Sequence, residues 1–215
     1  MKRIMIIDGG PRKNMNTAAM CEKFAEGARD AGVEVRIVRL YDLDYKGCRS
    51  CMACKLKNAH LPSCRFPDGL SDVLAECASA DGLVMASPIY FGEVTAQLRA
   101  FFERLTFPWL SYSQGVFNAP KKMPVTMIYT MNGMPADGDN MRKNMQIFEW
   151  VLSSSMGSPV EAVVANNTMQ VNNYVHYDFT PGTAENKLQW REEHWVEDQQ
   201  KAYAAGKQMA EQVMG

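Results

Sequence analysis

Four of the six cysteines fall within eighteen residues that read GCRSCMACKLKNAHLPSC. The first three, Cys48, Cys51 and Cys54, are spaced C-x2-C-x2-C, and nine residues separate Cys54 from Cys64. Spacings this short let one loop bring several thiolates to a single iron–sulfur cluster. Zinc would need four ligands in a closed tetrahedron, for which His60 is a further candidate. Reduced thiols or an ordinary loop explain the same pattern, so the residues alone leave these interpretations open.

Basic residues surround the cysteine segment. Lys55, Lys57 and Arg65 would lower the pKa of a nearby thiol and favour its thiolate form. The two remaining cysteines, Cys21 and Cys77, fall on apolar faces of predicted helices, and we expect them in the core.

A second group of polar residues lies in GGPRKNMNTAAM, residues 9–20. The glycines allow a tight turn, Arg12 offers a fork of N–H groups, and Asn14, Asn16 and Thr17 add side-chain donors. A helix that begins near Thr17 adds free main-chain N–H groups and the positive end of its dipole. Together these features predict a phosphate site. The glycine spacing fits neither the dinucleotide-binding fingerprint nor the P-loop, and a capped helix behind a polar turn is the alternative interpretation.

Two later segments end in turn residues after an apolar strand: SPIYFG (87–92) and YTMNG (129–133). Tyr90 and Phe91 are consecutive aromatics that either pack on a flat ligand or cover the edge of the core. Gly92 permits close approach of the main chain. A phosphate site together with aromatic, backbone-rich loops suits a phosphorylated planar cofactor.

These segments belong to a regular alternation of strands and helices. Apolar runs predict strands over 3–8, 33–40, 82–92, 123–133 and 158–165, and helical periodicity intervenes between them, over 139–156 and again over about 196–214. Alternation of this kind predicts a parallel sheet covered by helices on both faces. Because ligands bind beyond the carboxyl ends of such strands, the rule selects the loops 9–17, 87–93 and 130–138.

Length, composition and charge narrow the function. A chain of 215 residues with 47% hydrophobic and 22% charged residues fits one soluble domain. A net charge of −1 without a basic patch argues against nucleic acid or a membrane surface as partner. The first apolar run is too short for a signal peptide, so we expect a cytoplasmic protein with reduced thiols. The three histidines, His60, His176 and His194, are scattered, which disfavours a hydrolase.

Two motifs carry a resemblance to a known family. GGPRKNMNT resembles the G-S-P-R-x-x-x-N-T phosphate loop of the NADPH-dependent FMN reductase family. SPIYFGEVTAQLRAFFERL is similar to that family's S-P-I-Y-x-G segment and the helix after it. Order and spacing match, and the resemblance covers about residues 1–165. Gly10 stands where the family usually has Ser, which removes one hydroxyl contact to phosphate.

The resemblance implies a flavodoxin-like α/β fold, a five-stranded parallel sheet of order 2-1-3-4-5 with helices on both faces. It implies FMN with its phosphate on residues 10–17, its ring over 87–92 and residues 130–133 on the other rim. NAD(P)H would supply electrons for an acceptor such as a quinone, a nitro compound or flavin, without a catalytic side chain or a metal ligand. The implied cofactor-binding residues are Gly10, Pro11, Arg12, Asn14, Asn16, Thr17, Ser87, Pro88, Ile89, Tyr90, Phe91, Gly92, Thr130, Met131, Asn132 and Gly133.

The cysteine segment is similar to that of the related iron–sulfur flavoproteins, although the last gap is longer here. An electron-carrying iron–sulfur flavoprotein is therefore an alternative, and a non-enzymatic thiol redox sensor is another. We expect one domain over 1–215, with a cysteine-rich insertion at about 44–66 and a long loop plus C-terminal helix at about 166–214. The family resemblance further implies a homo-oligomer, a dimer or tetramer, and the segment 166–195 is expected to cover the flavin or contact a partner.

Overall fold

Apolar strands and amphipathic helices alternate along the computed structural model, which describes residues 1–57 and 63–215. The strands are β1 (Arg3–Asp8), β2 (Glu34–Arg39), β3 (Gly82–Pro88), β4 (Leu110–Ser111), β5 (Val116–Phe117), β6 (Val125–Thr130) and β7 (Val160–Ala165). The helices are α1 (Asn16–Asp30), α2 (Ser71–Ser79), α3 (Ala96–Thr106), α4 (Pro135–Asn144), α5 (Gln146–Met156) and α6 (Thr183–Met214).

Five strands form one parallel sheet in the order β2-β1-β3-β6-β7. The short strands β4 and β5 pair with each other as a separate antiparallel hairpin that the sequence did not predict. Counted without this hairpin, the strand order is 2-1-3-4-5. The predicted flavodoxin-like topology is therefore confirmed, and the carboxyl ends of β1, β3 and β6 lie side by side.

Helices cover both faces of the sheet because successive strand residues point to opposite sides. Met5 and Ile7 of β1 pack into a core with residues of α2, α3 and α5. Ile4 and Ile6 pack into a second core with residues of α1 and α6. The two faces thus fix the position of α1 and α3, whose first turns lie at the carboxyl edge of the sheet.

The C-terminal helix is longer than the sequence predicted, since it begins at Thr183 rather than near 196. Its first turns are largely exposed, which leaves little apolar periodicity to read. Further along, α6 packs closely on α1 through Gly27 and Gly206. A Cβ atom at Gly206 would overlap the main-chain oxygen of Phe24, and one at Gly27 would overlap that of Tyr203.

One other predicted helix differs from the structure. The helix predicted over 139–156 begins earlier, at Pro135, and is divided at Met145 into α4 and α5.

Within the described residues, no helix has the length and apolar character needed to cross a membrane.

Candidate functional site

A cleft of about 350 Å³ lies at the carboxyl ends of β1, β3 and β6. This volume is within the range of cofactor and ligand pockets. Its walls come from the three loops that the sequence selected and from a fourth segment beyond β7. The lining residues are Gly10, Pro11, Arg12, Met15, Asn16, Thr17, Pro88, Ile89, Tyr90, Thr130, Met131, Asn132, Thr168, Met169, Gln170 and Phe179.

Eleven of the sixteen predicted residues line this cleft, and five do not. Asn14 is exposed and lines a separate depression. The buried Ser87 hydroxyl accepts a hydrogen bond from the main chain just before α3. Phe91 and Gly92 form the tip of a tight turn. The carbonyl oxygen of Gly133 accepts a hydrogen bond from a main-chain amide in the segment beyond β7.

The first turn of α1 forms one end of the cleft. The N-cap residue is Met15, so no side chain caps the free N–H groups, and the first turn contains no acidic residue. Asn16 and Thr17 are buried at this point, and the exposed Arg12 lies in the loop before it. Uncapped N–H groups, the positive end of the helix dipole and a guanidinium together form a site for an anion.

The loop before α1 is fixed by a buried carboxylate. Asp8, 1% exposed, accepts a hydrogen bond of 2.7 Å from the amide of Gly10 and one of 2.8 Å from Nη1 of Arg39. Burial raises the pKa of Asp8, although these two partners oppose the rise. A Cβ atom at Gly10 would lie 2.9 Å from Oδ1 of Asp8 and 3.1 Å from Cβ of Thr17. Glycine therefore suits this position, where the family that the phosphate-loop motif resembles usually has serine.

A segment beyond β7 closes the cleft and contacts the start of α1. Nδ2 of Asn16 donates to the carbonyl oxygen of Met169 at 2.7 Å, and the Arg12 guanidinium donates to that of Gln170. The Gln170 side chain also donates to Oδ1 of Asn132. The anion-binding end and the third loop are thereby connected across the cleft by residues 169–170.

Sequence reasoning did not identify the side chains that this segment contributes. Thr168, Met169, Gln170 and Phe179 lie in a stretch without periodicity or a recognised motif. Its length was the one signal, and it led to the expectation that 166–195 covers the flavin or contacts a partner. Met15 was missed for a different reason: an apolar residue at a helix start carries no chemistry that a motif search would select.

The turn after β3 places its two aromatic residues in different environments. Tyr90 and Glu93 exchange main-chain hydrogen bonds of 2.9 and 3.0 Å, with Phe91 (φ +52°) and Gly92 (φ +78°) between them. Two central residues in the left-handed region are typical of a type I′ turn. Tyr90 lines the cleft, whereas Phe91 is fully exposed at the tip. Of the two predicted aromatic contacts, one is thus placed at the cleft.

The cysteine segment forms a second pocket that shares no lining residue with the cleft. Its four cysteines, Cys48, Cys51, Cys54 and Cys64, all line this pocket. The segment runs along α3. The Tyr45 hydroxyl donates to the carbonyl oxygen of Gln97 at 2.8 Å, and the Cys48 amide donates to Oε2 of Glu103 at 3.2 Å. Gln97 and Glu103 are six residues apart on α3, which corresponds to about 9 Å along the helix. The cysteines therefore lie away from the carboxyl edge of the sheet.

No group of three His, Cys, Asp or Glu side chains with a metal-binding arrangement occurs in the part of the chain that the structure describes. The zinc hypothesis also invoked His60, which lies outside the described residues.

Arg104 of α3 organises the cysteine pocket. Its side chain is 1% exposed, and Nε donates to Sγ of Cys64 at 3.0 Å. Both carboxylate oxygens of Asp68 accept from Nη1 and Nη2, at 2.7 and 3.1 Å. The carbonyl oxygens of Lys46 and Phe66 accept at 3.0 and 2.9 Å. All five N–H groups are used, so this residue joins the cysteine segment to α3.

One of the basic residues that the sequence placed near the thiols, Lys55, also binds main-chain oxygens. The Lys55 ammonium donates to the carbonyl oxygens of Phe107 and Leu110, beyond the end of α3. Burial raises the pKa of the Cys54 thiol even though Lys55 opposes the rise. Arg104, which motif reasoning did not select, is a cation that donates directly to a cysteine sulfur.

Comparison with known proteins identifies the family. The sequence profile of the NADPH-dependent FMN reductases matches residues 2–160, most of the chain. The chain belongs to the NADPH-dependent FMN reductase family. This membership confirms the family that the motifs suggested and, at the level of the family, the predicted oxidoreductase class with FMN as cofactor and NAD(P)H as electron donor.

Individual relatives share part of the sequence or the whole fold. An iron–sulfur flavoprotein of Methanocaldococcus jannaschii is 29% identical over 102 residues, 47% of this chain and 51% of the relative. An NAD(P)H dehydrogenase (quinone) of Methanosarcina barkeri is 36% identical over 98 residues, 44% of this chain and 45% of the relative. The matches thus span about half the length of these relatives. The structure of an NAD(P)H:quinone oxidoreductase from Methanothermobacter marburgensis superposes with a TM-score of 0.69 at 14% identity, covering 96% of this chain and 98% of that one.

Proposed function

We propose that this chain binds FMN in the cleft and transfers electrons from NAD(P)H to a small-molecule acceptor such as a quinone, a nitro compound or free flavin. The observation that carries the proposal is the position of an uncapped helix terminus at one end of a cleft whose other walls are strand-end loops. The quinone-reducing activity in the name of the Methanosarcina barkeri relative supports a quinone as the first acceptor to test.

The residues at the helix end fit the phosphate group of FMN. Arg12, Asn16, Thr17 and the uncapped main-chain N–H groups of the first turn of α1 would hold it, because donors converge there and no acidic side chain occurs in that turn. A hydrogen bond of 2.8 Å between the hydroxyls of Thr17 and Thr130 joins this end to the third loop.

The remaining loops fit a flat ring. Pro88, Ile89 and Tyr90 form one wall, and Thr130, Met131 and Asn132 form another. Bound FMN would supply the hydride and electron chemistry. The side chains themselves orient the cofactor and exclude water, and no nucleophile or general base among them is required. Of the predicted residues outside the cleft, Ser87, Gly92 and Gly133 would act by shaping these loops.

An iron–sulfur flavoprotein is the second candidate function. Two observations favour it: the four cysteines line one pocket, and the Methanocaldococcus jannaschii relative is named an iron–sulfur flavoprotein. Anaerobic purification followed by iron and sulfide analysis separates the two candidates. About four irons per chain would favour the cluster, and iron-free protein with full reductase activity would exclude it as a requirement.

Other aspects of the proposal concern the whole protein. We propose that residues 1–215 form one domain, that the protein acts in the cytoplasm, and that it forms a homo-oligomer. Size-exclusion chromatography with light scattering at several protein concentrations tests the last statement, and a monomer at all concentrations would contradict it.

The function is tested by oxidation of NADPH and NADH in the presence of FMN-loaded protein and a quinone. Replacing Arg12 with Ala is expected to weaken FMN binding by about tenfold, since a charge-assisted contact to phosphate is lost. Arg29→Ala is the matched control, because this exposed arginine lies in the last turn of the same helix. Absence of quinone-dependent NAD(P)H oxidation, or equal FMN affinity of the Arg12→Ala variant and wild type, would contradict the proposal.

A further inference from the structure

A lysine from the C-terminal helix is buried behind the third loop of the cleft. Lys187, in the second turn of α6, is 4% exposed. Its ammonium donates to the carbonyl oxygen of Asn132 at 2.9 Å and to Oδ1 of Asn167. Because Asn132 lines the cleft, the ammonium is hydrogen-bonded to the main chain of the cleft wall itself.

The surroundings of Lys187 are built to hold this ammonium. Asn167 is buried in a left-handed conformation (φ +48°). Its amide donates to the carbonyl oxygen of Gly133 at 2.8 Å, and its Nδ2 donates to Oδ1 of Asn186 at 3.1 Å. The strained asparagine therefore turns its side-chain oxygen toward the lysine while its main chain joins the third loop.

The charge of Lys187 has no carboxylate partner within 4 Å in the described part of the chain, and both oxygens that it contacts are neutral. Burial lowers the pKa of Lys187 to about 8, and no neighbouring charge counteracts this effect. At neutral pH the side chain is thus a buried cation that is costly to keep. A purely structural donor to two carbonyl-type oxygens would not need a charge.

We propose that Lys187 is a positioning residue whose buried positive charge favours the reduced form of the cofactor held in the cleft. Uptake of two electrons and one proton makes FMN more negative by one charge. A cation fixed behind the cleft wall stabilises that added charge more than it stabilises the oxidised form. The residue lies beyond residues 2–160, which match the family profile. The inference rests on the proposed function.

The test compares the midpoint potential and the dissociation constant of bound FMN in wild type and in Lys187→Gln. Glutamine keeps a donor for the third loop but has no charge. We expect the midpoint potential of bound FMN to be more negative in the variant. The affinity for reduced FMN relative to that for oxidised FMN should fall about tenfold. Lys187→Arg keeps the charge and should retain the wild-type potential. Lys187→Met serves in place of the glutamine variant if the latter fails to fold.

Lys201→Met is the matched control. Lys201 lies on the same helix, is half exposed and pairs with Glu197 at 3.0 Å, so its replacement removes an equal charge far from the third loop. If wild type binds FMN and the neutral Lys187 variants keep the wild-type potential, the inference is wrong. If wild type does not bind FMN, the proposed function itself fails, and the two failures are thereby distinguished.

Discussion

The N-cap of α1 offers a substitution whose effects on stability and on binding have opposite signs. Met15 has an extended backbone (φ −120°, ψ −172°) and supplies no cap. Aspartate at this position would accept a hydrogen bond from a first-turn N–H group, as N-cap residues do. The same carboxylate would place a negative charge at the end of the cleft that we propose for phosphate.

The expected magnitudes come from general values for N-caps and for the repulsion of two charges at a short separation. A new N-cap should stabilise the protein without FMN by about 1 kcal/mol, with a contribution from the helix dipole. Two negative charges about 5 Å apart repel by roughly 3 kcal/mol at an effective dielectric constant of 20. Screening at the open mouth of the cleft reduces this value. We therefore expect Met15→Asp to weaken FMN binding by about 10- to 100-fold while it raises the free energy of unfolding.

Two measurements check this expectation. Urea unfolding of the FMN-free protein gives the change in stability, and fluorescence titrations with FMN and with riboflavin give the change in affinity. Riboflavin has no phosphate, so its affinity should change much less. Met15→Asn adds a cap without a charge and should stabilise the protein with a smaller loss of FMN affinity. Equal losses for FMN and riboflavin, or unchanged FMN affinity of Met15→Asp, would refute the assignment of phosphate to this helix end.

Further predictions concern the scaffold and the cysteine pocket. Gly206→Ala should destabilise the protein by about 2–3 kcal/mol in urea unfolding, because its Cβ has no space between α1 and α6, and a neutral effect would contradict the packing described above. Arg104→Met should lower the free energy of unfolding by about 3–5 kcal/mol, because the carboxylate of Asp68 loses its partner. Burial alone would raise the pKa of Asp68, but hydrogen bonds from Arg104 outweigh burial and lower it. The stability that this pair contributes is therefore present above about pH 4 and should be lost as pH falls further. A wild-type stability advantage over Arg104→Met that persists unchanged at pH 2 would argue against this ion pair. In iron-free protein, the exposed Cys48 and Cys51 should react with a thiol reagent first, and the two buried helix cysteines only after unfolding; simultaneous labelling of all six would contradict the burial.

Patterns with a strong local cause were predicted well from the sequence. Apolar runs identified all five strands of the main sheet, and their alternation with helices predicted that the strands are parallel. The strand order came from the family resemblance. The rule for the carboxyl edge then selected the loops that form three walls of the cleft. Arg12, Asn16 and Thr17 were found because turn and helix-start residues carry their own signature.

Features that depend on tertiary contacts were not predictable in the same way. Lys187 and Gln170 come from an irregular or weakly periodic stretch, and their role arises from contact with Asn132, whose sequence position is distant. The Arg104–Cys64 contact joins a helix to a loop forty residues away. The first half of α6 was missed because it is mostly exposed, so no apolar stripe marks it.

We propose above that FMN occupies the cleft with its phosphate on the first turn of α1. A crystal structure of the protein grown with FMN would show this placement. We expect phosphate oxygens within hydrogen-bonding distance of the main-chain N–H groups of Asn16 and Thr17, with the ring between Tyr90 and Asn132. FMN bound at the cysteine pocket, or with its phosphate pointing away from α1, would show that the proposed placement is wrong.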